Sequence, residues 1–592
     1  MIRSLGALAL CAWVALFAPT ASPAQAINET PRITRVEDGL TAAVVIAGQT
    51  PPKMSLQDRM HYYHTTAVSI AFFDASGIRW VRAYGATPRT LFQAGSISKP
   101  VSAVGIMRLV QDGRLQLDTN VNDALKTWKV PENALTAKQP VTLRELLSHT
   151  AGMTVHGFEG YKRGTPVPTL QQVLDGVPPA NSPPIRVTLQ PGTQFRYSGG
   201  GYVVAERLLL DTVQEPFAKY MHDAVLEPLG MTGSTFEQPL PHDLWNGSAV
   251  ATDDQGKPYP GDWRVYPEQT AAGLWTTPTD LARFAIGIQH ALNGDPEAIL
   301  SQATVREMLT PVRDDYGLGI ELNGGGKTAR FGHDGANAGF QAVFRMYRGG
   351  EGVAIMTNSD LGGFLMGEIL RSIATEYGWP GYDPIQKNLY ALPADAYPAF
   401  AGAYKLPGNA PTVTVFARGD ELFFRYRHRN DIRLYPESST AFFSLNQDID
   451  IAFHVNPKNV VDGLWIIQAG DAGRAQRMTS SRQPPALVST APAPLPIDLP
   501  TTQFSTFMTD VLAGRIPSGL SHDTRDALTP AFVSQLDVMF ARLGAFHILQ
   551  FIGRGAEGKN QRFLYAAVFD KGTQALMFYT NTAGEITGLS LP

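Results

Sequence analysis

Between residues 30 and 380, strand-forming runs stand at the two ends and helical periodicity fills the middle. Near the start, Ala67 to Phe73 and Ile78 to Tyr84 alternate and are rich in β-formers. Asp74-Ala75-Ser76-Gly77 separates them, which is a hairpin signal. Near the end, residues 339–346 and 351–357 read as strands. Within the middle, Val101, Val104, Met107, Leu109 and Val110 carry helical spacing that stops at Gly113. Further helical patterns occur near 141–149, 200–215 and 279–292, and one follows the strands at 361–376. Strands at both ends with helices between them predict an α/β sandwich.

At 592 residues the chain is too long for one hydrophobic core, and length alone suggests about three or four domains. The pattern changes after Trp379-Pro380-Gly381. Residues 395–480 hold short β-type runs such as Val413 to Ala417, Leu422 to Arg427, Ala441 to Leu445 and Gly463 to Gln468, separated by turn residues. They read as a small β-barrel or β-sandwich. Residues 483–500 are rich in proline and poor in charge, the composition of a semi-rigid linker. The tail, 501–592, has helical stretches at 503–514 and 528–543 and β-type runs at 546–552, 563–570 and 574–580, so a small α+β domain is expected there. The expected partition is 1–26 leader, 27–385 first domain, 386–482 β-barrel, 483–500 linker and 501–592 accessory domain.

The first 26 residues have the form of a secretory signal peptide. Arg3 supplies the positive start, Leu5 to Phe17 the apolar run, and Ala24-Gln25-Ala26 a small-x-small cleavage site, so the mature chain is expected to begin at Ile27. This implies an exported protein, periplasmic or extracellular, with no stable membrane span after cleavage. The single cysteine, Cys11, lies in the leader. The mature chain then has no disulfide and no thiolate nucleophile or metal ligand. A net charge of −4 leaves no electrostatic footprint for nucleic acid or an anionic membrane. No metal-ligand cluster or glycine-rich phosphate loop is legible, and no cofactor is expected.

Three short motifs carry the chemistry. Ser96-Ile97-Ser98-Lys99 opens the helix that follows the hairpin. Positions i and i+3 of a helix share a face, so the Lys99 amine can sit beside the Ser96 hydroxyl. A hydroxyl is a poor nucleophile until its proton is taken, and lysine can take it only if burial or a neighbouring cation lowers its pKa. By itself the motif also fits a helix-capping serine followed by a surface lysine. Tyr197-Ser198-Gly199 stands at a loop-to-helix transition. Beside Lys99 a phenolate at Tyr197 would be favoured, making it a candidate base and later acid; taken alone it fits a packing tyrosine equally well. His333-Asp334-Gly335 reads as the start of a strand at a cleft edge, where Gly335 lets a substrate backbone approach. The amides of Ala336 and Ser96 could together form an oxyanion hole. In isolation this segment reads as a turn with a solvated histidine.

In this order, S-x-x-K, Y-x-(N or G), then H-x-G or K-T-G, the motifs resemble those of the serine β-lactamase and penicillin-binding-protein superfamily. The segments Leu91-Phe92-Gln93-Ala94-Gly95, Val141 to Met153, Pro228-Leu229-Gly230-Met231 and Gly273 to Pro278 resemble its class C-like branch, over about residues 35–375. The resemblance implies an α/β (α+β) fold of the β-lactamase/transpeptidase type: an antiparallel sheet with flanking helices, an all-helical lobe beside it and a cleft between. It implies Ser96 as acylated nucleophile, Lys99 as its proton partner and Tyr197 as base and acid. His333, Gly335, Ala336 and Gly199 would line the substrate site. Residues 395–480 resemble the lipocalin-like barrel appended to some esterases and D-aminopeptidases of this group.

Two positions depart from the pattern. Gly199 replaces an asparagine, so a side-chain amide that could hold substrate is missing. His333 replaces a lysine, and a neutral imidazole attracts a substrate carboxylate less. The expectation is therefore a serine hydrolase acting on small esters, amides or D-amino-acid-containing peptides, peptidoglycan-derived ones among them, rather than a true β-lactamase. The competing expectations are a non-catalytic receptor for β-lactams or peptidoglycan fragments, and a structural envelope protein. The sequence does not fix the oligomeric state.

Overall fold

The computed structural model describes residues 29–406, 412–426, 430–456, 460–468, 471–478, 500–529, 533–534, 536, 540–557, 560–570 and 572–590. The leader at 1–26 and the proline-rich stretch up to residue 499 lie outside the described residues, as does part of the helix expected at 528–543.

The hairpin forms as the sequence suggests. Strands β1 (Val68–Asp74) and β2 (Gly77–Tyr84) flank a tight turn in which the Ser76 amide donates to Asp74 Oδ1 at 2.8 Å. Gly77 takes φ +124°, which a residue with a side chain rarely adopts. From the other end of the domain come β3 (Glu321–Asn323), β4 (Arg330–Asn337), β5 (Phe340–Tyr347) and β6 (Gly352–Thr357). The six make one sheet in the order β2-β1-β6-β5-β4-β3, antiparallel throughout, so chain segments far apart in sequence pair as β1 and β6.

The period of two decides what each face buries. On β5, Ala342, Phe344 and Met346 enter one core while Val343 and Tyr347 enter another. On β1, Ala71 and Phe73 go with the first, and Val68, Ile70 and Phe72 with the second. Six helices frame the sheet and the cleft: α1 (Ser98–Gln111), α2 (Leu143–Leu147), α3 (Gly199–Val213), α4 (Gln269–Ala272), α5 (Pro278–Asn293) and α6 (Gly362–Tyr377). α5 puts Leu281, Phe284 and Ile288 into the first core, and α6 puts Leu365, Ile369 and Ile373 into the second. Burying each such side chain contributes about 1.5–3 kcal/mol. α1 is buried on nearly every side, as befits the centre of a helical lobe. The fold is thus the β-lactamase/transpeptidase-like arrangement: a flanked antiparallel sheet with a helical lobe.

The helix expected over 141–149 shortens to α2. A capping box between Thr142 and Glu145 starts it, and His149 at φ +60° lies where no helix can continue. Beyond α6, strand Ile385–Lys387 pairs in parallel with Val44–Ile46. A domain boundary after residue 385 would cut this strand. Lys387 is fully buried, and its amine reaches Glu437 at 3.1 Å and Asp450 at 2.5 Å, both on the following barrel. That barrel closes eight antiparallel strands, from Gly402–Lys405 round to Asp471–Arg477, over a core that includes Val413, Phe424, Phe442 and Leu464. In the tail, helix Thr501–Leu512 packs on a four-stranded sheet. Its core also takes in Ala441, Ala452 and Ile467 from the barrel.

Candidate active site

Ser96 sits in a single 3-10 turn, Gly95–Ile97, that leads directly into α1. From Leu91 to Pro100 every residue is buried except Ser96, which keeps partial access to solvent. Two glycines let β4 lie against this turn. Gly95 has φ +51°, and a Cβ there would fall 2.5 Å from the Ala336 amide nitrogen. A Cβ on Gly335 would fall 1.9 Å from the Ala94 carbonyl oxygen. Backbone touches backbone only because neither residue has a side chain, and this brings Ala336 beside Ser96. Ser98 braces the turn, donating to Gly95 O at 2.6 Å and accepting from the Leu274 amide at 3.0 Å.

The i, i+3 relation works as expected. Lys99 Nζ donates to Ser96 Oγ at 2.8 Å and to the Ala271 carbonyl, at the end of α4, at 3.0 Å. Lys99 is 2% exposed. Burial drops its pKa to about 7, with the negative charge of Glu321 on β3 pulling weakly the other way. At neutral pH much of the population therefore carries a lone pair aimed at the serine hydroxyl.

Tyr197 precedes Ser198, which caps α3 by accepting from the Gly201 amide at 3.0 Å. The Lys99 amine lies 4.9 Å from its ring centroid. Burial pushes the Tyr197 hydroxyl well above the usual phenol value, although hydrogen bonding with Ser96 opposes the shift. The low pKa of Lys99 leaves too little positive charge to hold a phenolate, so Tyr197 rests as a neutral proton donor.

His333 is not at the start of its strand but within β4, and it is buried. Its Nδ1 lies 2.5 Å from the Asp334 carbonyl oxygen, an acceptor, so Nδ1 carries the proton. Nε2 then accepts from the Tyr316 hydroxyl at 2.9 Å. Burial, aided by the nearby charge of Lys99, drops its pKa to about 3, so the ring stays neutral. With both nitrogens engaged, His333 offers no cation to a substrate carboxylate. Gly199 packs under Phe158, where a Cβ would come within 2.9 Å of the ring, and its amide donates to His156 O at 3.0 Å. It is not among the residues lining the cavity.

A cavity of about 520 Å³ opens over this arrangement, and Ser96, Tyr197, His333, Gly335 and Ala336 all line it. The structure thus gathers into one place side chains that the sequence separates widely. It adds several that no local pattern announced. His149 stacks on Tyr197 at 4.1 Å between centroids and accepts from the Ser198 amide at 3.0 Å. Glu321 and Asp334 share Arg345, at 3.3 and 2.7 Å. The described residues hold a possible ion-binding group, His222, Asp223 and Glu227, but it is exposed and outside the cavity.

The family model described as Beta-lactamase matches residues 55–374. The chain belongs to this family. It is a serine hydrolase of the β-lactamase-related type. Penicillin-binding protein 4 of Amycolatopsis lactamdurans is 25% identical over 350 residues, covering 55% of this chain and 87% of that one. A putative penicillin-binding protein, PbpX, of Bacillus subtilis (strain 168) is 25% identical over 296 residues, 48% of this chain and 66% of its own length. Among solved structures, the octameric penicillin-binding protein homologue from Pyrococcus abyssi aligns with a TM-score of 0.48 at 21% identity, over 71% of this chain and 98% of that one. The matched span carries every cavity residue discussed above and leaves the barrel and the tail outside it.

Proposed function

We propose that this member of the family is an exported hydrolase that cleaves small esters, amides or D-amino-acid-containing peptides through an ester on Ser96. The observation that carries the reading is the 2.8 Å hydrogen bond from a buried lysine of lowered pKa to a serine hydroxyl at the cavity wall. In the attack, Ser96 Oγ bonds to the substrate carbonyl carbon and its proton passes to the neutral Lys99 amine. The oxyanion that forms lies against the Ser96 and Ala336 amides. As the tetrahedral adduct collapses, the Tyr197 phenol gives its proton to the departing oxygen or nitrogen, and the Lys99 ammonium restores it. Water then repeats the sequence on the acyl-serine, and the acid product leaves with Ser96 regenerated.

The neutral, fully engaged His333 favours substrates without a carboxylate next to the scissile bond, hence esters, amides and peptides over β-lactams. Peptidoglycan fragments meet that description at their internal bonds. Export rests on the leader motif, and N-terminal sequencing of secreted protein should read Ile27 first. The decisive experiment is intact mass and peptide mapping after treatment with a fluorophosphonate. Label on Ser96, with loss of p-nitrophenyl acetate hydrolysis in Ser96→Ala, is expected; label on another serine, or full activity in the variant, overturns the assignment.

A further inference from the structure

The cavity does not end at the nucleophile. It continues along the face of β4 and β5 that α6 partly covers. Gly363, Met366, Gly367 and Leu370 line it from the helix, and their spacing is that of one helical face. Opposite them the sheet offers Gln341 and Val343, with Ala336 beside Gln341 and Asp334 beside Val343 in register. The two helical glycines make the space. A Cβ on Gly363 or Gly367 would meet nothing closer than 3.6 or 3.5 Å, so they are not forced by packing. Met366, Leu370 and Val343 give the groove an apolar stretch beside the polar Gln341 and Asp334.

The far end is closed by Arg330 and Tyr382. Arg330 starts β4, six residues before Ala336, so it stands about 20 Å from the nucleophile along the strand. The cavity has two guanidinium groups. Arg345 is committed to Asp334 and Glu321, a triplet whose net charge is negative. Arg330 has no carboxylate partner among the described residues. Its Nη1 donates to the Thr328 carbonyl at 3.4 Å, the rings of Tyr382 and Tyr347 lie 5.1 and 5.9 Å away, and its Nε is buried with no hydrogen-bond partner. A buried donor on a cation costs free energy unless an acceptor arrives, and a carboxylate is the acceptor that matches a guanidinium best.

We propose that this groove is a binding subsite for an extended, apolar arm of the substrate that ends in a carboxylate seated on Arg330. The inference rests on Ser96 as the reacting residue and adds the shape of what it cleaves. A carboxylate close to the scissile bond meets the negative triplet, whereas one at the end of a long arm meets Arg330.

The test compares mono-p-nitrophenyl esters of succinic and dodecanedioic acid with the same esters capped as methyl esters on the second carboxyl. In the wild-type chain, kcat/KM for the long free acid should exceed that of its methyl ester at least ~10-fold, the loss expected when one charge-assisted pair is removed. The short acid should show no such preference. Arg330→Gln should bring the long-chain ratio close to one. Gly367→Leu, which fills the groove, should cut the ratio of long to short free acids. An unchanged ratio in Arg330→Gln, or equal rates for long acid and long methyl ester in the wild type, overturns the subsite. Calorimetry with dodecanedioic acid monomethyl ester and Ser96→Ala reads the same site without turnover: binding should be lost on adding Arg330→Gln. If fluorophosphonate labels another serine while this binding persists, the nucleophile assignment fails and the subsite stands. If Ser96 is labelled and the binding is absent, the reverse holds.

Discussion

Lys99 makes the fold less stable in order to be reactive, and the size of that penalty can be read. Charging its amine in the buried site, where its pKa is about 7 against the ordinary 10.5, costs about 5 kcal/mol. The sign follows from proton counting. The unfolded chain holds the Lys99 proton up to about pH 10.5, whereas the folded chain releases it near 7. Between those values the unfolded state binds more protons, so stability must rise with pH. From pH 6 to pH 9 this one group contributes an increase of about 3 kcal/mol. Lys99→Met keeps the length and removes the charge. It strips the Ala271 carbonyl of its donor, a cost of about 1–3 kcal/mol that is the same at every pH. The variant should therefore hydrolyse nothing, while its stability relative to the wild type falls by about 3 kcal/mol between pH 6 and pH 9. Urea unfolding followed by tryptophan fluorescence is the assay. Trp80, Trp128, Trp245, Trp263, Trp275 and Trp379 all belong to the catalytic part, against Trp465 in the barrel. Glu206 and Glu268, buried acids raised to about 7 and about 8, titrate in the same window but are common to both proteins and cancel in the difference. Parallel stability curves for the two proteins would refute a neutral lysine, and with it the proposed base.

The rate profile offers an independent reading: kcat/KM should climb through about pH 7 as Lys99 loses its proton, and Glu321→Gln should move that limb to lower pH by removing the charge that holds the proton on. Gly335→Ala places a Cβ 1.9 Å from the Ala94 carbonyl, so β4 must move off the turn, and kcat with p-nitrophenyl acetate should fall ~100-fold, the usual result of displacing a reacting constellation by about an ångström. Lys387→Met leaves Glu437 and Asp450 in the barrel without their buried cation and should cost about 3–5 kcal/mol, seen as earlier loss of Trp465 fluorescence while Ser96 labelling persists below the transition.

The hairpin, α1 and the Ser96–Lys99 pair were legible because each depends on local periodicity: alternation around one tight turn, and a three-residue offset on one helix. The pairing of the Ala336 and Ser96 amides is expected from the third motif, but Gly335 reads there as room for a substrate backbone, and the close crossing that Gly335 and Gly95 permit emerges only in the fold. Other features were not legible. Tyr316 and Glu321 reach the site from segments whose own sequence carries no pattern, and although 339–346 reads as a strand, only the sheet register brings Arg345 over Gly332 and within reach of Asp334. His333 was misplaced within its strand because β4 begins where it pairs with β3, and that three-residue strand is too short to read. The burial of Tyr197 and Lys99 is likewise invisible in residue type, and it opposes the phenolate that a charged lysine would favour.

The same burial accounts for the histidine in the third motif. Lys99 lowers the tendency of His333 to hold a proton, and His149, against Tyr197, is held far below its ordinary pKa by burial and by both of them. Among Lys99, His333 and His149 the arrangement therefore favours at most one cation, the transient ammonium that forms on Lys99 during attack. A permanent lysine at position 333 would compete with it, pushing Lys99 further towards the neutral amine and placing a fixed positive charge beside the acyl group. With a neutral imidazole locked between Tyr316 and the Asp334 carbonyl, the strand keeps its shape and contributes no charge. Recognition of an anionic group is then displaced along the groove to the guanidinium of Arg330.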